Sequence, residues 1–253
     1  MEHKQALLNR LDAIGQSLAK TGHALALLGL GSVGLELDRL DDYSDLDFFV
    51  IVKPGYKAAF IQNLDWLTSI RPAAFAFQNT VDGHKLLFDD GIFCEFAVFE
   101  PDELAHIPFA KGRIIWKSPD FDEALIVPEE KNTSPKPLDW YIGEILTNLY
   151  IGLGRHHRGE QLSAFFFIQQ YAVSRLIELS DQLETPSPAH MDSFAPERRY
   201  EQRFPKLAQN LPQFIQGYDH NIESALAILQ FMDKHFSVNP AIKQTILNLC
   251  QEG

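Results

Sequence analysis

A chain of 253 residues, 45% hydrophobic and 22% charged, has the composition of an ordinary globular protein and enough length for one large or two small domains. Its formal charge of -12 argues against a broad nucleic-acid footprint, which needs a basic face to displace condensed counterions. Its two cysteines, Cys94 and Cys250, make neither a disulfide framework nor a zinc finger, and no apolar run has the length of a membrane span or the form of a secretory signal; a cytoplasmic protein with no membrane partner is expected.

Residues 3–20 set Leu7, Leu8, Leu11, Ile14 and Leu18 at helical spacing, which predicts an amphipathic helix ended by Thr21-Gly22. Ala24 to Leu30 is the first expected strand, and it runs into Gly31-Ser32. Val33 to Leu40 is expected as a short helix. The loop Asp41 to Ser44 then delivers Asp45-Leu46-Asp47 to the run Phe48 to Val52, which is short, aromatic and β-branched and reads as a strand buried on both faces. Residues two apart on a strand share a face, so Asp45 and Asp47 form a carboxylate pair that needs a counter-ion. Mg²⁺ suits it, because that cation is commonly held by one or two carboxylates plus substrate phosphates. Gly31 permits close backbone approach, and Ser32 offers a hydroxyl and an N–H to a phosphate. The plainer alternative is a solvated acidic loop of Asp41, Asp42, Asp45 and Asp47 with local turn bonds from Ser44 or Asp45.

Lys53-Pro54-Gly55 is a turn, Lys57 to Leu67 a predicted helix, and Ile70 to Gln78 a strand in which Pro72 belongs at the start or on an edge. Asp89-Asp90-Gly91 is a hairpin turn between strands at Lys85–Phe88 and Ile92–Phe99. Glu95 is an isolated charge in the second of these. A buried carboxylate there has to be paired, hydrogen-bonded or on a metal, so Glu95 is a third ligand candidate or a general base. Leu104 to Phe109 reads as a helical turn and Arg113 to Trp116 as a short extended segment. The polar, proline-bearing stretch Val127 to Pro137 marks a boundary, giving domains 1–130 and 131–253.

Beyond the boundary the period is helical over 138–158, 161–183, 196–211, 214–235 and 240–250. The fold class expected is α+β: a mixed sheet with packed helices, followed by an all-α bundle. Arg155, His156, His157 and Arg158 cluster at the end of the first bundle helix. The helix dipole accounts for cations there, and a guanidinium meeting a triphosphate is the functional alternative. Trp140, Tyr141, Tyr150 and Phe165 to Phe167 are either core or the lining of an acceptor site.

Gly31-Ser32, twelve intervening residues, Asp45-Leu46-Asp47 and the later Glu95 resemble the signature of the DNA-polymerase-β-like nucleotidyltransferase superfamily. Within it, Tyr43 to Phe49 and the segment Leu149 to Leu162 look most like the antibiotic nucleotidyltransferases, the lincosamide and aminoglycoside enzymes with a C-terminal helical domain. The resemblance implies a nucleoside triphosphate co-substrate, one or two Mg²⁺ on Asp45, Asp47 and Glu95, Gly31 and Ser32 at the triphosphate, and Glu95 as ligand or base. It further implies nucleoside monophosphate transfer to a small-molecule hydroxyl held between catalytic and helical domains, with a homodimer among the possible assemblies. The loop departs from the pattern: Val33-Gly34-Leu35-Glu36-Leu37-Asp38-Arg39 lacks the usual early cation, for which Arg39 is a substitute, with Arg158 the candidate from the helical part. A protein or housekeeping acceptor, and a silent nucleotide-binding or antitoxin-like domain, are the rival readings.

Overall fold

Leu7, Leu11, Ile14 and Leu18 are each no more than 1% exposed, so the apolar stripe of the N-terminal helix α1 (Glu2–Thr21) is sealed against what it covers. It covers a six-stranded sheet. The computed structural model describes residues 2–128, 136–189, 191–192 and 195–251, and the chain divides into two compact units, Met1–Asn132 and Thr133–Gly253. The expected break at 130/131, and most of the expected boundary stretch, lie outside the described residues.

In the first unit the strands are β1 (Ala24–Gly29), β2 (Leu46–Val52), β3 (Ala73–Gln78), β4 (Gly83–Phe88), β5 (Phe93–Phe99) and β6 (Arg113–Lys117), in the order β3-β4-β5-β2-β1-β6. Only the β2–β5 pair is parallel; it joins the β1–β2 and β4–β5 antiparallel pairs into one mixed sheet. The β4–β5 hairpin turns where Asp89-Asp90-Gly91 predicts, with Gly91 at φ +85° and its N–H donated to Phe88 O. Pro72 stands just before β3, an edge strand, where its missing N–H costs nothing in the ladder.

One face of the sheet packs on α1 and on two short helices, α2 (Lys57–Gln62) and α3 (Asp65–Thr68), through Leu27, Phe48, Val50, Phe88 and Phe96. The single helix expected over Lys57 to Leu67 is therefore two, because Asn63 takes an extended conformation and caps Asp65 N–H with its side-chain oxygen. The other face carries a second core, Leu28, Ile51, Phe99, Phe109 and Phe121, under the segment that follows β5. β2 is not buried on both faces throughout: Asp47 and Phe49 alternate with buried neighbours, and only Val50 to Val52 are closed on each side.

The helix expected over Val33 to Leu40 is absent. Gly31–Val33 and Leu37–Arg39 form 3₁₀ turns: Val33 and Leu40 are buried, but Gly34 at ψ -121° and Glu36 at ψ 49° break the helical path between them and leave Leu35 and Leu37 exposed.

The second unit is helical: α4 (Leu138–His157), α5 (Gln161–Phe165), a π-helical segment Phe166–Ala172, α6 (Val173–Glu178), α7 (Tyr200–Arg203), α8 (Leu211–Phe214), α9 (Asn221–His235) and α10 (Pro240–Gln251). Ile145, Leu149, Ile168, Ile228, Leu229 and Ile246 form its core. The expected 161–183 helix is interrupted by the π segment. Within that segment buried Gln169 donates to Gly217 O and Asn221 Oδ1 and accepts from Gly217 N–H, which satisfies the amide inside the bundle. No described helix is long and apolar enough to cross a membrane.

Candidate active site

The site is built where β1 ends and β2 begins. Gly29 pairs with Phe48, and Leu30 N–H donates to Asp47 O at 2.8 Å, so the chain leaving β1 turns directly across Asp47. Gly31 makes that turn at φ +53°, and a Cβ on it would stand 3.3 Å from Asp47 Oδ2. Gly31 and the Asp47 carboxylate are therefore in contact range.

Asp45 lies one residue before β2, at the end of a loop with its own internal order. Tyr43 N–H and the Ser44 hydroxyl donate to Asp41 Oδ1, Asp41 N–H donates to Ser44 Oγ, and these bonds hold Asp41 below the usual carboxylate value. His3 of α1 adds a bond to Ser44 O at 3.1 Å. The local turn bonds thus fall to Asp41 and Ser44, which fix the approach of Asp45 to the strand. Asp45 and Asp47 both act on one buried thiol: burial pushes Cys94 up to about 12, Arg10 opposes, and the two carboxylates add to the rise. Cys94 pairs with Leu46, between the two acids, so both charges gather at the head of β2 and β5.

Glu95 pairs with Asp47 across the parallel ladder, which sets their side chains on one face about 5 Å apart at the backbone. It is not the buried lone charge that its apolar neighbours suggest. Its side chain is 43% exposed, with Asn79 Nδ2 donating to Oε1 at 2.9 Å and Lys85 Nζ 3.1 Å from Oε2. Among the described residues no three acidic, imidazole or thiol groups converge as a metal site, so Glu95 is turned to Asn79 and Lys85 rather than drawn in with the aspartates.

Of the proposed cations, Arg39 is paired with Glu36 three residues before it. Arg158 belongs to the helical unit, 60% exposed, where it caps α4 by donating from Nε to Gly154 O while Arg155 pairs with Glu160. The helix-terminus explanation of the basic cluster accounts for both contacts. Arg113 at the start of β6 reaches the loop at Val33 and Gly34. Paired with Gly29, it donates from Nε to Gly34 O at 3.1 Å and from Nη2 to Val33 O at 3.0 Å. Sequence reasoning passes over Arg113, as it does Lys85 and Asn79, because each makes its contact only through pairing with a distant strand. Tyr150 and Phe166 are exposed and Trp140 lies near Arg175, so these aromatics stand outside the helical core.

No family model and no curated protein matches the chain. Solved structures align with it over nearly the full length. A crystal structure of an aminoglycoside 6-adenyltransferase from Bacillus subtilis aligns over 95% of both chains at 12% identity and a TM-score of 0.35. A spectinomycin adenyltransferase AAD(9) from Enterococcus faecialis, crystallised with ATP and spectinomycin, aligns over 96% of this chain and 97% of its own, at 14% identity and a TM-score of 0.33. At that level of likeness the functional reading rests on the chain's own residues.

Proposed function

We propose that the protein is a nucleotidyltransferase that moves a nucleoside monophosphate from a nucleoside triphosphate to a hydroxyl of a small molecule, antibiotics of the lincosamide or aminoglycoside kind being the first acceptors to try. The observation that carries the reading is the packing of Gly31 against the Asp47 carboxylate, with Asp45 and Glu95 beside it. A glycine turn beside an Asp-x-Asp pair suits a metal-triphosphate site, and the third acid stands on the neighbouring strand beside it, held by Asn79 and Lys85.

Asp45 and Asp47 fit a hard divalent cation: their donors are all carboxylate oxygens, and a pair is the usual protein contribution when phosphates complete the shell. Bound there, Mg²⁺ supplies charge stabilisation on the phosphoryl oxygens. The chain's own residues do the rest. Ser32 donates its hydroxyl and N–H to the triphosphate, and Arg113 holds the carbonyls of Val33 and Gly34 away from it. Glu95, oriented by Asn79 and Lys85, takes the proton of the acceptor hydroxyl. The acceptor oxygen forms its bond to the α-phosphorus as the α–β anhydride bond breaks, and pyrophosphate leaves with that electron pair. The division into a catalytic domain, 1–130, and an acceptor-selecting helical domain, 131–253, belongs to the same proposal.

The test is pyrophosphate release from ATP, GTP, CTP and UTP with Mg²⁺ against lincosamides, aminoglycosides and cellular metabolites, comparing the native chain with Asp45→Ala/Asp47→Ala. Acceptor-dependent release that the variant loses supports the proposal. Absence of Mg²⁺-dependent nucleotide binding by the native chain sinks it.

A further inference from the structure

The face of the sheet that carries Glu95 continues past it. Asp47 pairs with Glu95, Glu95 with Lys85, and Lys85 with Phe77, so four side chains on β2, β5, β4 and β3 stand in one row on one face. Phe93, Leu87 and Phe75 make the neighbouring row. The Lys85 and Asn79 contacts to Glu95 confirm the sidedness, since Asn79 follows Phe77 by two residues at the end of β3.

β3 is an edge strand whose two faces differ. Ala76, paired with buried Leu86, is exposed on the side away from the acids, whereas Phe75 and Phe77, 54% and 48% exposed with ring centroids 6.1 Å apart, stand on the side of the acids. Edges are ordinarily blunted by charge, proline or brevity. Two half-exposed phenylalanines thus stand on the face that leads to Glu95, beyond what cross-strand pairing at an edge requires.

We propose that Phe75 and Phe77, with Leu87 and Phe93 beside them, form an apolar shelf for the acceptor: a hydroxylated small molecule with an uncharged alkyl or aryl substituent. The substituent lies about 10 Å from the reacting hydroxyl, two strand spacings of about 4.8 Å from β5 to β3. The inference rests on the nucleotidyl-transfer reading for the role of Glu95 and deepens it by naming the acceptor class.

The probe is 2-phenylethyl β-D-glucopyranoside, compared with methyl β-D-glucopyranoside, in NMR of the full chain with ¹³C-labelled phenylalanine. Mg²⁺·ATP binding is measured by calorimetry on the same samples. The phenylethyl glucoside is expected to shift the Phe75 and Phe77 ring signals saturably and the methyl glucoside to leave them unmoved. Phe75→Ala/Phe77→Ala is expected to weaken phenylethyl glucoside binding at least about tenfold, roughly 1.4 kcal/mol, with Mg²⁺·ATP affinity unchanged. Equal response to both glucosides, or equal affinity in the variant, overturns the shelf. A dimer of the native chain that the double variant dissolves in sedimentation also overturns it, by giving the face to a second copy. Native chain that binds Mg²⁺·ATP but shows no response at Phe75 and Phe77 loses the shelf and keeps the transfer reading; native chain that binds no Mg²⁺·ATP loses the transfer reading and the shelf's acceptor role together.

Discussion

Gly31 stands with its missing Cβ 3.3 Å from Asp47 Oδ2, in a left-handed conformation at φ +53°. Two separate demands meet at that residue. A side chain there carries the αL penalty of about 1–2 kcal/mol, and it also presses on the carboxylate that the turn serves. Gly31→Ala is expected to lower stability by about 1 kcal/mol in urea denaturation and to lower kcat by more than tenfold, because Asp47 has to give way. A variant with full activity would mean that Asp47 is not held by the turn.

Arg113 gives a second handle on the same loop. Its guanidinium bridges the carbonyls of Val33 and Gly34 at 3.0 and 3.1 Å, a two-point contact that an ammonium cannot reproduce. Hydrogen bonds from a charged donor contribute about 1.5–3 kcal/mol each when a partner is buried. Arg113→Ala is expected to weaken Mg²⁺·nucleotide binding about tenfold or more, with Arg113→Lys recovering part of it, while acceptor KM changes little. Calorimetry of nucleotide binding beside a thermal melt checks this; unchanged affinity in the Ala variant would deny the contact any role.

What the sequence makes legible is whatever depends on near neighbours. Gly31-Ser32 and Asp45-Leu46-Asp47 are set by turn and pleat, α1 by its stripe of leucines, and the β4–β5 hairpin by Asp90-Gly91. What it hides depends on register. Glu95 looks buried because its neighbours along the strand are apolar, yet its environment is decided by Lys85 and Asn79 across the sheet. Arg113 looks like the start of an ordinary strand until β6 pairs with β1 and delivers it to the loop. The helix expected over Val33 to Leu40 fails for another reason: Val33 and Leu40 are buried, but Gly34 and Glu36 between them leave helical backbone angles and Leu35 and Leu37 face water.

His84 carries a pH dependence unrelated to the chemistry. It is 8% exposed, lies stacked at 13° on Phe96, and its Nδ1 is buried without a hydrogen-bond partner. Burial holds its pKa below the ordinary histidine value. The unfolded chain therefore takes up the proton more readily than the folded one. The contribution of this residue to stability is full above about pH 6.5 and is lost as the pH falls from there through the folded-state value. His84→Phe keeps the stacked ring and removes the titration. The drop in Tm between pH 7.5 and 5.0 is expected to be smaller in the variant, by a few degrees; parallel melting curves of both proteins across that range would count against the assignment.

The Asp45 and Asp47 pair sets stability against function. Asp45 and Asp47 are like charges two residues apart at the head of β2, with Glu95 across the ladder from Asp47, and a divalent cation held by the pair lowers their mutual repulsion. Two expectations follow from that one repulsion. Asp45→Asn/Asp47→Asn removes it, so without divalent metal the variant is expected to melt higher than the native chain, by about 2–4 °C for about 1 kcal/mol in a chain of this size. Mg²⁺ at millimolar concentration, by contrast, binds the folded native chain and raises its Tm through mass action, and the variant does not respond. Crossing of the two melting temperatures on titration with Mg²⁺ is therefore the expected signature of a cation held by these two side chains. It needs neither nucleotide nor acceptor. A native chain whose Tm is insensitive to Mg²⁺, and which the double substitution destabilises, would mean that Asp45 and Asp47 serve the fold as hydrogen-bond acceptors and hold no metal.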